Sequence, residues 1–223
     1  MSHWAGQLPT IDTNTLPALT ETARTRRGGP AEIERSEVTH RRQPTRRQFL
    51  DQRRVANAAE QLGRLPAPGE TCHCVMRGNF DAFDLIPAII RMGQEPATEL
   101  NIATLGFNER NTTKLIELLD AGQVQKLTFI CSVYFRSMKD SGRTFRRLVA
   151  ELEARGQRVR AIRCHAKIQL IETASGAYVI ESSANLRSCH NIEQFTLTHD
   201  RALLEFHRAW MLEVLVSASE EGI

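Results

Sequence analysis

Residues 163–185 read RCHAKIQLIETASGAYVIESSAN, and their two-residue rhythm decides the fold. His165 and Lys167 stand two apart within the β-like stretch RVRAIRCHAKIQLIE, so on a strand both side chains leave the same face, about 7 Å apart along the chain. Ser183 and Asn185 repeat that spacing at the end of the next β-like stretch, AYVIESSAN. Where the two strands pair, an imidazole, an ammonium, a hydroxyl and a carboxamide converge on one patch. Such a set suits a phosphodiester: a nucleophile or acid, a point charge for the phosphoryl oxygens, and neutral donors to orient them.

Outward from this segment the hydrophobic pattern alternates between the periods of strand and helix. Upstream, ELNIATLGF (99–107) reads as a strand, NTTKLIELLDAGQ (111–123) as a helix with Leu115, Leu118 and Leu119 on one face, and KLTFICSVYF (126–135) as a continuous apolar β run. SGRTFRRLVAELEARG (141–156) follows as a helix through Phe145, Leu148, Val149 and Leu152, with Gly156 as its stop. Strands separated by helices of this length imply parallel crossovers. Downstream, EQFTLTHD (193–200) is a further β stretch reached by a short connection. Residues 201–217 then form a helix whose Leu203, Phe206, His207, Trp210, Met211 and Val214 make an apolar stripe. The fold class is α/β, a mixed β-sheet flanked by helices in an α/β/α sandwich. No internal repeat is visible.

A chain of 223 residues, 41% of them hydrophobic, can fill one such domain and still carry an extension. Residues 1–70 are expected to form a basic N-terminal arm with a short amphipathic helix at about 45–63, capped by Thr45, and residues 71–223 the domain. The longest apolar runs fall far short of the roughly 20 residues that span a bilayer, and no apolar leader opens the sequence, which predicts a cytoplasmic protein without a membrane partner. Five cysteines, an odd number, argue against a disulfide framework. Cys72, His73, Cys74, Cys164, Cys189 and His190 include metal-ligand types, but their spacing is a weak zinc signature and reads better as small buried thiols.

Charge is unevenly spread. Residues 71–223 hold 18 basic and 18 acidic side chains, yet residues 136–167 carry 10 basic and 3 acidic ones, and residues 41–54 six Arg and one Asp. Both stretches suit a polyanion. The candidate phosphate contacts are Arg41, Arg42, Arg46, Arg47, Arg53, Arg54, Arg143, Arg146, Arg147 and Arg163.

His165-x-Lys167, four residues, Glu172, then ten residues to Ser183-x-Asn185 resembles the HKD motif of the phospholipase D superfamily, His-x-Lys-x4-Asp followed by Gly-Ser-x-Asn. Glu172 stands where the motif has Asp, and Ser182 where it has Gly, a residue that tolerates angles Ser resists. HNIEQFTLTHD (190–200) is similar to the segment that follows in small single-motif bacterial nucleases of that superfamily, where a Glu hydrogen-bonds the catalytic His, and Glu193 is the matching position. The resemblance covers residues 71–217 and suggests a bacterial or prophage source. It implies that His165, Lys167, Ser183, Asn185 and Glu193 are catalytic, with Glu172 supporting the site. It implies no cofactor and no metal. Because the chain has one such motif, it also implies a homodimer that cleaves DNA or RNA through a phosphohistidine. A catalytically weak nucleic-acid-binding or phage-assembly protein that retains the fold is the alternative. A phospholipid-processing enzyme is disfavoured by the absence of an interfacial helix rich in Trp and Phe.

Overall fold

The structure, a computed structural model, describes residues 45–137, 139–187 and 191–217. These residues make one compact unit. Its chain runs α1 (Arg46–Leu62), β1 (Thr71–Met76), a 3-10 turn (Ala82–Asp84), α2 (Leu85–Gly93), β2 (Ala97–Thr104), α3 (Glu109–Asp120) and β3 (Leu127–Ser132). There follow α4 (Val133–Ser137), α5 (Lys139–Glu153), β4 (Arg158–Ile162), β5 (Ile168–Thr173), β6 (Ala177–Ser182), β7 (Glu193–His199) and α6 (Arg201–Ser217). The seven strands form one mixed sheet in the order β1-β7-β6-β5-β2-β3-β4. Strands β2, β3 and β4 pair in parallel, joined by the expected helical crossovers, whereas β5, β6 and β7 form an antiparallel meander that docks β5 on β2 and β7 on β1.

Burial follows the topology. Every residue of the interior strand β3 is buried, as a continuous apolar run between two parallel neighbours requires. One face of the sheet, through Phe129, Ile171, Ile180 and Phe195, packs with Ala58 and Leu62 of α1, Ile86 and Ile89 of α2, Leu115 of α3 and Leu148 of α5. The other face, through Ile130, Leu170 and Val179, packs with Leu204 and Met211 of α6. The chain therefore has helices on both faces of a mixed sheet.

Three local expectations are corrected. The run 126–135 is not all strand: after Ser132 the segment Val133–Ser137 turns into α4, which tucks Phe135 against Phe107 with ring centroids 4.3 Å apart. The stretch RVRAIRCHAKIQLIE is two strands, because residues 163–167 leave β4 at one edge of the sheet and cross to β5 near its middle. On α6 the buried residues are Leu204, His207 and Met211, while Phe206 is 66% exposed. Strand β1 and helix α2, which no pattern above singled out, complete the edge and the core.

Helix α1 starts at a reciprocal cap in which the Thr45 side chain accepts from the Gln48 backbone N–H and the Gln48 side chain accepts from the Thr45 N–H. It stops at Gly63, whose φ of 67° a side chain would resist. A boundary at residue 70 leaves α1 with the arm, yet its side chains are joined to the domain by a buried ion network. Arg110 of α3 donates to Asp51 of α1 at 2.7 Å, to Asp81 at 3.2 Å and to Asp84 at 2.6 Å. Arg54 reaches the same Asp81 at 2.7 Å, and Lys114 lies 3.0 Å from Asp51. Burial pushes Asp84 up against the opposing pull of Arg110. For Asp51 burial pushes the same way, but Arg110 and Lys114 together outweigh it and hold the carboxyl low. Residues 1–44 lie outside the described residues.

Candidate active site

The antiparallel docking of β5 on β2 decides where the chemistry-bearing residues go. It sets the start of β5, the end of β6, the start of β7 and the end of β1 beside the carboxyl ends of β2, β3 and β4. In open α/β sheets that is the edge where ligands bind. His165 and Lys167 lie in the extended segment just ahead of β5, and Ser183 and Asn185 just beyond β6, so neither pair is within a strand proper. The ladder nevertheless continues past both strand ends: the Ser182 N–H donates to the Lys167 carbonyl at 3.0 Å, and the Ser183 N–H to the Gln194 carbonyl at 3.0 Å. Alternation does the rest. Ala184 and Leu186 are buried, and Asn111 of α3 donates to the Leu186 carbonyl at 3.4 Å, which pins the loop that carries Ser183 and Asn185.

Lys167 Nζ lies 3.0 Å from His165 Nδ1 and 2.9 Å from the His165 carbonyl. An ammonium has only donors, so Nδ1 accepts, and a neutral ring then carries its proton on Nε2. His165 is exposed, and Nε2 is free of any hydrogen bond among the described residues. The Ser183 hydroxyl donates to the Glu193 carboxylate and accepts from the Gln194 N–H at 3.0 Å. Glu193 thus holds Ser183 in this structure, and no hydrogen bond joins it to His165. Asn185 Oδ1 is buried and without a hydrogen-bond partner among the described residues, a polar end left for a ligand or water.

The two departures from the motif have structural explanations. Ser182 is not among the residues of positive φ, so the freedom of glycine is not needed there. Its hydroxyl instead closes the turn, accepting from the Ala184 N–H at 2.8 Å and donating to the Gln194 carbonyl at 3.2 Å. Glu172 is paired with α6, where it accepts from Arg201 at 2.5 Å and from Arg208. Burial works to raise Glu172, but these two arginines outweigh it and hold the carboxyl below the usual range. Its side chain therefore pins α6 to the sheet, and no bond connects it to His165 or Lys167.

The arginines divide into two groups. Arg54 is committed to Asp81, and Arg147 to Glu109 and Thr113. Arg46, Arg47, Arg53, Arg143, Arg146 and Arg163 are exposed, with no ion pair among the described residues, and Arg41 and Arg42 lie outside those residues. Arg143 and Arg146 sit in the first turns of α5, and Arg163 follows β4, which places all three at the His165 end of the sheet. Arg77 after β1, Arg136 in α4 and Arg187 after Asn185 occupy the same end and were not singled out above, although Arg187 stands only two residues past Asn185.

Four described cysteines are free thiols. Burial, with Cys72 Sγ 3.5 Å away, pushes Cys74 up to about 12, and burial pushes Cys131 up to about 12, so both thiols stay protonated and act as packing. No group of three or more His, Cys, Asp or Glu suited to a metal ion is gathered among the described residues. No described helix is long and apolar enough to cross a membrane.

No protein-family model matches the sequence, and no curated protein matches it significantly. Among solved structures, the chain is similar to Nuc of Salmonella typhimurium, a phospholipase D family member, at 14% identity over 65% of this chain and 93% of that one, TM-score 0.49. It is similar to NucT of Helicobacter pylori at 15% identity over 66% and 98%, TM-score 0.48. A more distant likeness, at 13% identity over 65% and 51% and TM-score 0.39, is to TrmBL2, an archaeal chromatin protein.

Proposed function

We propose that this chain is a phosphodiesterase of the phospholipase D-like type that cleaves DNA or RNA in a homodimeric site. The observation that carries the reading is the ladder bond between Lys167 and Ser182, which joins the His165–Lys167 pair to the Ser183–Glu193 pair at one sheet edge. Lys167 supplies a positive charge for phosphoryl oxygens, and the free polar end of Asn185 supplies a further contact.

The chain has one His-x-Lys sequence, so a nucleophile and a separate general acid require two copies related by a two-fold axis. In that scheme Nε2 of one His165 attacks phosphorus while the other His165 gives its proton to the departing oxygen. The second ring then takes a proton from water, which displaces the histidine and releases the product. Protein groups supply the charge throughout, so the route runs without a metal. The arrangement with Nδ1 accepting from Lys167 is that of the proton donor. The attacking ring needs its proton on Nδ1 and a carboxylate to receive it, the role that the resemblance gives to Glu193, which in this structure bonds Ser183.

The engagement of Glu193 with Ser183 also favours a second reading, a nucleic-acid-binding protein with weak or no turnover. Hydrolysis of bis(p-nitrophenyl) phosphate separates the two. On the catalytic reading the parent chain hydrolyses the diester and His165→Ala lowers the rate at least about 10²–10⁴-fold with the fold intact. A parent chain with no more hydrolysis than His165→Ala transfers the weight to the binding reading.

A further inference from the structure

We propose that the cleft beside edge strand β4 is a subsite for single-stranded nucleic acid, leading the strand to the His165 edge. This specifies the nucleic-acid reading above and rests on it for the partner class. The cleft, about 740 Å³, lies between α4, α5 and β4. Val133, Phe145, Val149 and Val159 give it apolar walls, and Arg136, Arg160 and Arg163 stand among them against a single acid, Glu153. None of these three arginines has an ion pair among the described residues. Nearby Arg147 and Arg155, by contrast, are satisfied by Glu109 and by Asp120 and Glu151.

Three guanidinium groups set in apolar walls against one carboxylate leave a surplus of positive charge that selects an anionic ligand, and several of them select a repeating one. The walls decide its form. Apolar and aromatic side chains stack with base faces that a single strand exposes and a duplex hides in its own stack. The path onward is built into the chain. From Arg163 to Lys167 the backbone crosses the ends of β3 and β2 to reach β5, three strand spacings or roughly 14 Å, and His165 lies on that crossing. A strand seated over Arg160 and Arg163 therefore continues toward His165.

The test uses the full chain carrying His165→Ala, so that binding is read without cleavage, with fluorescein-labelled oligo(dT) and a duplex of the same length as probes. Adding Arg160→Gln and Arg163→Gln should weaken the single strand roughly tenfold and flatten its salt dependence by about 0.7 per arginine. Phe145→Leu, which keeps an apolar wall but removes the ring, should weaken the single strand several-fold and leave the duplex unchanged. Arg91→Gln, on α2, should change neither. Melting temperatures confirm that each variant is folded. Unchanged single-strand affinity in the double arginine variant, or equal losses for strand and duplex in Phe145→Leu, overturns the subsite. A chain that binds in this way but whose His165 form never cleaves a diester keeps the subsite and loses only the catalytic reading.

Discussion

Replacing Arg110 by Met keeps an unbranched apolar stem and removes the charged guanidinium, which isolates the ion network that joins α1 to the domain. Arg110 is 17% exposed and its three partners Asp51, Asp81 and Asp84 are 11%, 4% and 1% exposed. Two of them keep a cation, Asp81 from Arg54 and Asp51 from Lys114. Among the described residues Asp84 keeps only the Asp81 backbone N–H, at 2.8 Å. One buried carboxylate is thus left uncompensated, for which the lower end of the usual penalty, ~3 kcal/mol, is expected. Denaturant unfolding followed by circular dichroism measures it. Burial already pushes Asp84 up, and without Arg110 nothing comparable opposes it. A raised folded-state value penalises the ionised form above it, so the deficit of the variant should shrink as pH falls through that value. Adding Asp84→Asn should recover most of the loss at neutral pH, because an amide still accepts the Asp81 N–H without carrying a charge. A loss under about 1 kcal/mol, or no recovery on adding Asp84→Asn, would refute the network as the tie between α1 and the domain.

Glu172→Gln should cost about 1–2 kcal/mol, discounted because Arg201 is largely exposed, and it should leave diester hydrolysis within a few-fold of the parent, since Glu172 contacts α6 and not His165. The Glu172 carboxyl is held low in the folded chain, so its contribution is complete above the unfolded value, about 4.3, and fades as pH falls through the folded one; acid unfolding curves of parent and variant should therefore converge at low pH. Arg46→Gln, Arg47→Gln and Arg53→Gln on the exposed side of α1 should each flatten the salt dependence of duplex binding by about 0.9 where the residue meets a phosphate, whereas Arg54→Gln should lower the melting temperature. Plasmid cleavage should persist in EDTA; complete loss on chelation would contradict the phosphohistidine route.

The strand and helix alternation from residue 97 onward was legible because β2, β3 and the helices after them have one buried face or none exposed, which is what periodicity reports. Helix α2 was not: LIPAIIRMG is only nine residues long and carries Pro87 in its first turn, so its apolar side is a short run interrupted by a residue that ordinarily marks a break. The end of β3 was misjudged because Val133 and Phe135 have strand-like propensity, and packing of Phe135 on Phe107 overrides it. At the site, the two-residue spacing grouped His165 with Lys167 and Ser183 with Asn185, and the structure sets both pairs at one edge of the sheet, just outside the strands the spacing implied. The partners of Glu172 and Glu193 were beyond it. Which arginine or hydroxyl meets a carboxylate depends on how α6 and the β6–β7 turn pack, and no short sequence pattern encodes that.

The composite site is tested most directly by mixing. Wild-type and His165→Ala chains, combined in equal amounts and allowed to exchange subunits, form wild-type, mixed and variant dimers in binomial proportion. In a mixed dimer the remaining His165 has no partner ring to act as acid. Activity should therefore fall to about a quarter of that of an equal total amount of chain that is all wild-type, the wild-type homodimer share. A fall to only half, the value for chains that each work alone, would contradict the two-copy site.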